Sequence, residues 1–197
     1  MRGKYIELYR RKRKGKTDYR LRKRVVVSRL PFVSIRISNK NVLVQLIKAG
    51  PKGDTVLGSA SSKQLQKFGW LFSKRSLPAC YLCGLMLGSK MKDKVNSKVV
   101  VYMGLKPYVV GSRASAVVKG LIDGGLKVEA DQETFPEEKR LNGSQIALYA
   151  KNLKSSDLDL YNRRFSNYIR EGLNVEEMPV IFEKVKKMIV ERKGVIE

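Results

Sequence analysis

The sequence predicts an α/β protein on a mixed sheet: a three-strand antiparallel meander that continues into parallel crossovers, with helices packed on it. Three observations carry this expectation. Residues 32–47, FVSIRISNKNVLVQLI, alternate in the manner of a hairpin. KVVVYMG, from Lys98, is a short continuous β-branched run of the kind found where both faces of a strand are covered. Ser76 and Ser112 each open a segment with helical length and apolar spacing, which gives the order βββαβαβ once the strand TVLGSASS and a last strand LKVEA are added.

The N-terminal segment has a different texture. Residues 1–24 hold 12 basic side chains against Glu7 and Asp18, a net charge of +10, and the first 16 residues have no apolar period. A segment that repels itself and carries so little apolar surface cannot build its own core, so a basic tail without fixed structure is expected. Thr17 or Asp18 then caps a short helix, with Leu21 and Val25 on one stripe, with Arg20, Arg22, Lys23 and Arg24 pointing outward, and with Pro31 as its stop.

In the hairpin, a two-residue turn at Asn39 and Lys40 sets Val33, Ile35 and Ile37 against Leu46, Val44 and Val42. Ser34, Arg36 and Ser38 then face Gln45, Leu43 and Asn41, so one side is core and the other polar and basic. The third strand, TVLGSASS, places Ser59 and Ser61 on alternate positions and leads into a helix through Lys63 to Phe68.

The helix capped by Ser76 runs to about Lys92 and is apolar nearly all round, so it is expected to be the most buried. It holds Cys80 and Cys83, the only cysteines of a chain without histidine. Two thiols and no imidazole cannot close a zinc site, and both are read as small core hydrophobes, which suits a reducing compartment. The helix capped by Ser112 carries Ala114, Val117, Val118, Leu121 and Ile122 on one face and ends at Gly124 and Gly125; LKVEA is the expected final edge strand. After an acid-rich loop from Asp131, a helix is expected from about Ser144 to Leu153, with Ile146, Tyr149, Ala150 and Leu153 as its stripe. Residues 155–197 carry equal numbers of acids and bases and end in a helix from about Pro179 to Arg192, with Ile181, Phe182, Val185, Met188 and Ile189 on one side. This extension either docks on the parent domain or meets a protein partner.

Overall the chain of 197 residues holds 41 Lys+Arg and 18 Asp+Glu, a formal charge of +23. An excess this large concerns partners rather than fold. No apolar run reaches the length of a membrane span and the N-terminus lacks a signal-peptide core, so neither a membrane nor a secretory route is expected. Catalysis is equally unsupported. Sheets of this order also occur in two-metal nucleases of the ribonuclease-H type, yet neither Phe32–Ser38 nor VVVYMG carries a carboxylate. GDTVLGSASSK resembles a phosphate-binding loop but has Ser59 where Lys is required, and without histidine the common Ser and Cys nucleophiles lack their base. No small-molecule substrate, metal or cofactor is therefore expected.

What remains is binding of RNA, for which Arg and Lys meet phosphates, Ser, Asn and Gln meet sugars and base edges, and aromatic rings stack. Tyr9 and Tyr19 lie within the basic run. GWLFSKR joins Trp70 to Lys74 and Arg75; Trp70 suits a stacking surface and a core equally well. Lys23 and Arg36 are further basic candidates.

The motifs RKGKTDYRLR, ISNKNVLVQ, GSASSKQLQKFGW, PACYLCGLMLGSK, VGSRASAVVKGLIDGGLKV and FPEEKRLNGSQIALYAK, in this order, resemble the archaeal and eukaryotic branch of universal large-subunit ribosomal protein eighteen, a 5S ribosomal RNA-binding family. The tail FSNYIREGLNVEEMPVIFEKVKK is similar to archaeal members, and the likeness spans nearly the whole chain. It implies ribonuclease-H-like topology without the active site, a place in the central protuberance of the cytoplasmic ribosome, and 5S rRNA, large-subunit rRNA and neighbouring ribosomal proteins as partners. Matched motif by motif, it implies RNA contacts at Arg10, Arg11, Lys12, Arg13, Lys14, Lys16, Thr17, Tyr19, Arg20 and Arg22 in the tail and first helix. At the hairpin it implies Ser38, Asn39, Lys40 and Gln45, with Arg113 of GSR as a further candidate. The sequence departs from the family where VYMGL lacks an acidic residue and where YVVGSR lacks a polar residue. The expected division is a basic RNA-binding tail with the start of the first helix (1–24), an α/β RNA-binding domain (25–154) and a helical extension (155–197).

Overall fold

Residues 7–50 and 53–191 are described by the computed structural model. The hairpin has the expected register: β1 (Phe32–Ile37) runs antiparallel to β2 (Val42–Lys48), with Val33, Ile35 and Ile37 opposite Leu46, Val44 and Val42. The turn closes through Ser38, whose hydroxyl donates to Asn41 O at 2.8 Å and accepts from Asn41 N at 3.0 Å. β3 (Thr55–Ser61) pairs with β2, with a register shift at Leu46/Ile47. The sheet order is β3-β2-β1-β4, and β4 (Val100–Tyr102) is parallel to β1. Antiparallel meander and parallel crossover are thus both present, in the mixed α/β arrangement expected.

The inner face of the sheet packs on α3 (Leu77–Met91), whose N-cap Ser76 accepts from Ala79 N. Cys80 and Cys83 are fully buried in α3. Loss of water pushes the Cys80 thiol up to about 12, against the nearby positive charges of Arg113 and Arg75, and pushes Cys83 up as well. α4 (Arg113–Asp123), capped by Ser112, lies against α3. That approach is close because of glycine: a Cβ on Gly84 would stand 2.2 Å from Val117 O, and one on Gly120 would stand 2.2 Å from Tyr81 O. The glycine pairs let the two backbones touch, so the facing stripe is wider than the apolar residues alone suggest; Ser115, Ala116 and Gly120 are buried too.

α5 (Glu138–Leu141), α6 (Ser144–Ser156), α7 (Leu158–Arg164), α8 (Ser166–Arg170) and α9 (Met178–Glu191) follow. Phe182, Val185 and Ile189 of α9, with Tyr161 and Phe165, join the same core as the sheet and α3. Tyr81 and Phe182 meet with ring centroids 5.6 Å apart, and Ser73 N donates to Tyr168 Oη at 3.1 Å. Residues 155–191 therefore pack on the same core as the sheet and α3.

Several expectations need correction. The basic helix, α2 (Tyr19–Val27), stops before Pro31, because Arg29 turns the chain with a left-handed φ of 55°. β4 is only half covered, since its outer neighbour reduces to one parallel bridge, Val99 to Val128, in place of the edge strand expected for LKVEA. Lys63 to Phe68 forms a 3-10 turn over Gln64–Phe68 instead of an α-helix. In α6 the buried stripe is rotated onto Ala147, Ala150 and Leu153, and Tyr149 is exposed. In the tail, α1 (Arg10–Arg13) forms one short turn of helix where no structure was expected. Residues 1–6 and Arg192 lie outside the described residues.

Candidate nucleic-acid interface

The interface is built on the outer face of the sheet and on the two ends of β1. Asp18 accepts from Arg20 N at 2.8 Å and Leu21 N at 3.3 Å, which fixes where α2 starts. Val25 then seats α2 on Phe32 and Ile47, in a small second core shared with Tyr102. The outer face, expected to be polar and basic, is thus apolar at its start, at Phe32 and Ile47, and mostly polar further along, at Ser34, Arg36, Gln45, Ser59 and Ser61.

The described part of the tail, from Glu7, folds back over this face. Tyr9 and Tyr19 rings lie 5.2 Å apart, Arg11 Nε donates to Thr17 Oγ1 at 2.8 Å, and Arg13 pairs with Glu7 at 2.6 Å. The result is a groove of about 470 Å³ between tail, α2 and sheet, lined by Arg11, Lys16, Thr17, Tyr19, Arg36 and Tyr102 among others. Arg10, Lys12, Lys14, Arg20 and Lys23 are exposed around it. Arg22 departs from its expected outward position. It is half-buried, forms an ion pair with Asp54, and sits 5.2 Å from the centroid of Phe32. Its charge therefore holds α2 to the sheet before it meets any ligand. Gln45 is half-buried on the same face, opposite Ser34 and Ser59.

At the far end of β1, Asn39 and Lys40 are exposed at the hairpin tip, while Ser38 is occupied in closing the turn. Two cations brace this tip: Arg75 Nη1 donates to Asn39 O at 3.3 Å and Lys106 Nζ to Ile37 O at 3.0 Å. Lys74 is half-buried beside Arg75, and Arg113 shares a basin with Arg75. Trp70 is a correction. It is fully buried, its Nε1 donates to Ser73 O at 3.3 Å, and its ring meets Phe72 edge-on at 5.4 Å. It serves the core and offers no stacking surface. Sequence reasoning missed Tyr102, which sits in a strand read as fully covered, Lys106, which sits in a loop without a motif, and Arg140, which sits in the short helix α5 within a stretch read as an acid-rich loop.

This geometry suits a long, flat polyanion: cations on a folded-back tail, a polar sheet face, and a tip held by backbone hydrogen bonds. A family model described as ribosomal large subunit proteins 60S L5 and 50S L18 matches residues 3–103. A curated relative from Caldivirga maquilingensis, "Large ribosomal subunit protein uL18", is 44% identical over 191 residues, covering 96% of this chain and 92% of the relative. The chain belongs to this family. A uL18 of Thermofilum pendens is 40% identical over 189 residues, covering 96% of each chain. Membership makes the chain a structural protein of the large ribosomal subunit and not an enzyme, as its residues had indicated.

Proposed function

We propose that the chain binds 5S rRNA and helps attach it to large-subunit rRNA in the central protuberance, as a scaffold without catalytic activity. One observation supports this above others: β1 joins two basic surfaces, the tail groove at Arg36 and the braced tip at Asn39 and Lys40, on one rigid strand. A scaffold for folded RNA needs such fixed spacing, because phosphate contacts set register and only positioned groups read base edges. In this reading residues 1–24 are the RNA-binding tail and start of the first helix, 25–154 the RNA-binding domain, and 155–197 the extension. The extension keeps Leu158 and Val180 more than half exposed, which suits contact with a neighbouring ribosomal protein. The order β3-β2-β1-β4, with β1 and β4 parallel, is compatible with ribonuclease-H-like topology stripped of its carboxylates.

Filter binding of the purified chain to 5S rRNA and to a length-matched arbitrary duplex, at about 0.15 M salt where exposed charges are screened beyond roughly 8 Å, tests the proposal. Preference for 5S rRNA is expected. Equal affinity would leave the second reading, a basic RNA-binding scaffold or assembly protein without that target.

A further inference from the structure

A basin of about 620 Å³ lies where α3 and α4 begin, and its wall includes Arg75, Arg113, Arg140, Ser76, Ser112 and Gly111. Each helix presents its N-terminus there. Ser76 and Ser112 each accept one first-turn amide, from Ala79 and Ser115; Pro78 has no N–H, so the first-turn amides left without a partner within their helices are those of Leu77, Arg113 and Ala114. Two helix dipoles therefore add their positive ends to three guanidinium groups. Among the described residues, no carboxylate lines the basin and none of these arginines is in an ion pair.

The arginines are placed rather than loosely displayed. Arg75 Nη1 is tied to Asn39 O, while its Nε is buried with no hydrogen-bond partner among the described residues. A buried charged donor left unpaired is costly, and it leaves Arg75 with Asn39 O as its one side-chain hydrogen-bond partner among the described residues. Arg140 lies over the backbone of Gly111, close enough that a Cβ there would stand 3.4 Å from Nη1. Repulsion among the guanidinium groups falls when a single anion bridges them.

We propose that this basin holds one phosphate group of the bound RNA backbone, with Arg113 and Arg140 as the gripping side chains and Arg75 as the link to the hairpin tip. The inference rests on the RNA reading above and adds Arg140 to it. Guanidinium forks suit the paired oxygens of a phosphate, and helix N-termini supply further donors. An RNA strand is favoured over an acidic peptide because Arg75 makes the basin continuous with Asn39 and Lys40, so one backbone can cross both.

The test uses the full chain and two probes. With 5S rRNA, Arg140→Gln should weaken binding several-fold and lower the slope of log affinity against log salt by about 0.7 to 0.9. Arg140 is exposed, so this variant should fold. With inorganic phosphate, backbone amide NMR signals of Ser112, Arg113 and Ala114 should move in the wild-type chain and stay still in the Arg113→Gln, Arg140→Gln double variant. An unchanged RNA slope overturns the proposal; if phosphate still moves those signals, the basin takes free phosphate only, and if an Asp/Glu peptide does, it belongs to an acidic protein segment. Failure of the wild type to prefer 5S rRNA defeats the reading under Proposed function instead, and the proposal then falls if phosphate leaves the signals unmoved and stands for an RNA backbone if Arg140→Gln lowers the slope for whichever RNA binds.

Discussion

Arg22 and Asp54 form an ion pair that joins the basic helix to the start of the third strand, with the Arg22 guanidinium 5.2 Å from the centre of the Phe32 ring. One of the tail's own cations is thus committed to holding the others in place. Both side chains keep part of their water contact, at 23% and 38% exposure, so the pair stabilises only modestly. Asp54→Asn should lower stability by no more than about 1 kcal/mol in urea melts, because the ring contact remains. A loss several times larger would mean that the pair fixes more of the fold than α2.

Trp70, the only tryptophan, reports on the core and not on RNA. Its fluorescence should be shielded from iodide in the folded chain and should stay unchanged on RNA binding. Trp70→Ala should destabilise the chain by about 3–5 kcal/mol, the usual cost of deleting a large buried ring. Quenching of Trp70 by bound RNA would restore its reading as a stacking platform.

The α3–α4 contact depends on absent side chains. Gly84→Ala or Gly120→Ala would press a methyl group to 2.2 Å from a backbone carbonyl of the other helix, with no flexible side chain to give way. Each should cost about 3 kcal/mol or more, at the upper end of overpacking losses, and thermal melts would register it. A neutral Gly84→Ala would show that the helices lie further apart than described here.

How much of this was legible in the sequence varies by residue. The hairpin register was, because strict alternation on both sides of Asn39–Lys40 leaves one pairing that buries Val33, Ile35, Val42, Val44 and Leu46 together. Ser76 and Ser112 marked their helices because capping is local chemistry. Trp70 was not legible: its neighbours Lys74 and Arg75 suggest RNA, while Phe72 beside it meets Tyr168, from the far C-terminal part of the chain, edge to face. Arg140 was hidden in the acid-rich stretch EEKR, and only the fold brings it to Arg113. Arg22 looked like one more tail cation until Asp54, beyond two strands, took it up.

Alkaline pH should expose the buried thiols. In the folded state Cys80 is raised from 9.0 to about 12, chiefly by desolvation, and burial raises Cys83 in the same direction. An acid whose folded value is raised contributes stability that is complete below its unfolded value and is lost as pH climbs toward the folded one. Stability should therefore fall progressively above about pH 9, and neither thiol should react with iodoacetamide at pH 8 until the chain is unfolded. Rapid alkylation of the native chain would contradict their burial.

The central claim is that the cationic tail meets RNA phosphates while the sheet sets where it does so. The most direct measurement is the salt dependence of 5S rRNA binding for the whole chain and for a chain lacking residues 1–16. Loss of the six cations from Arg10 to Lys16 should flatten the slope of log affinity against log salt by about four to five units and leave the folded domain with weaker, still selective binding. An unchanged slope would mean that the tail touches no phosphate, and the account would fail.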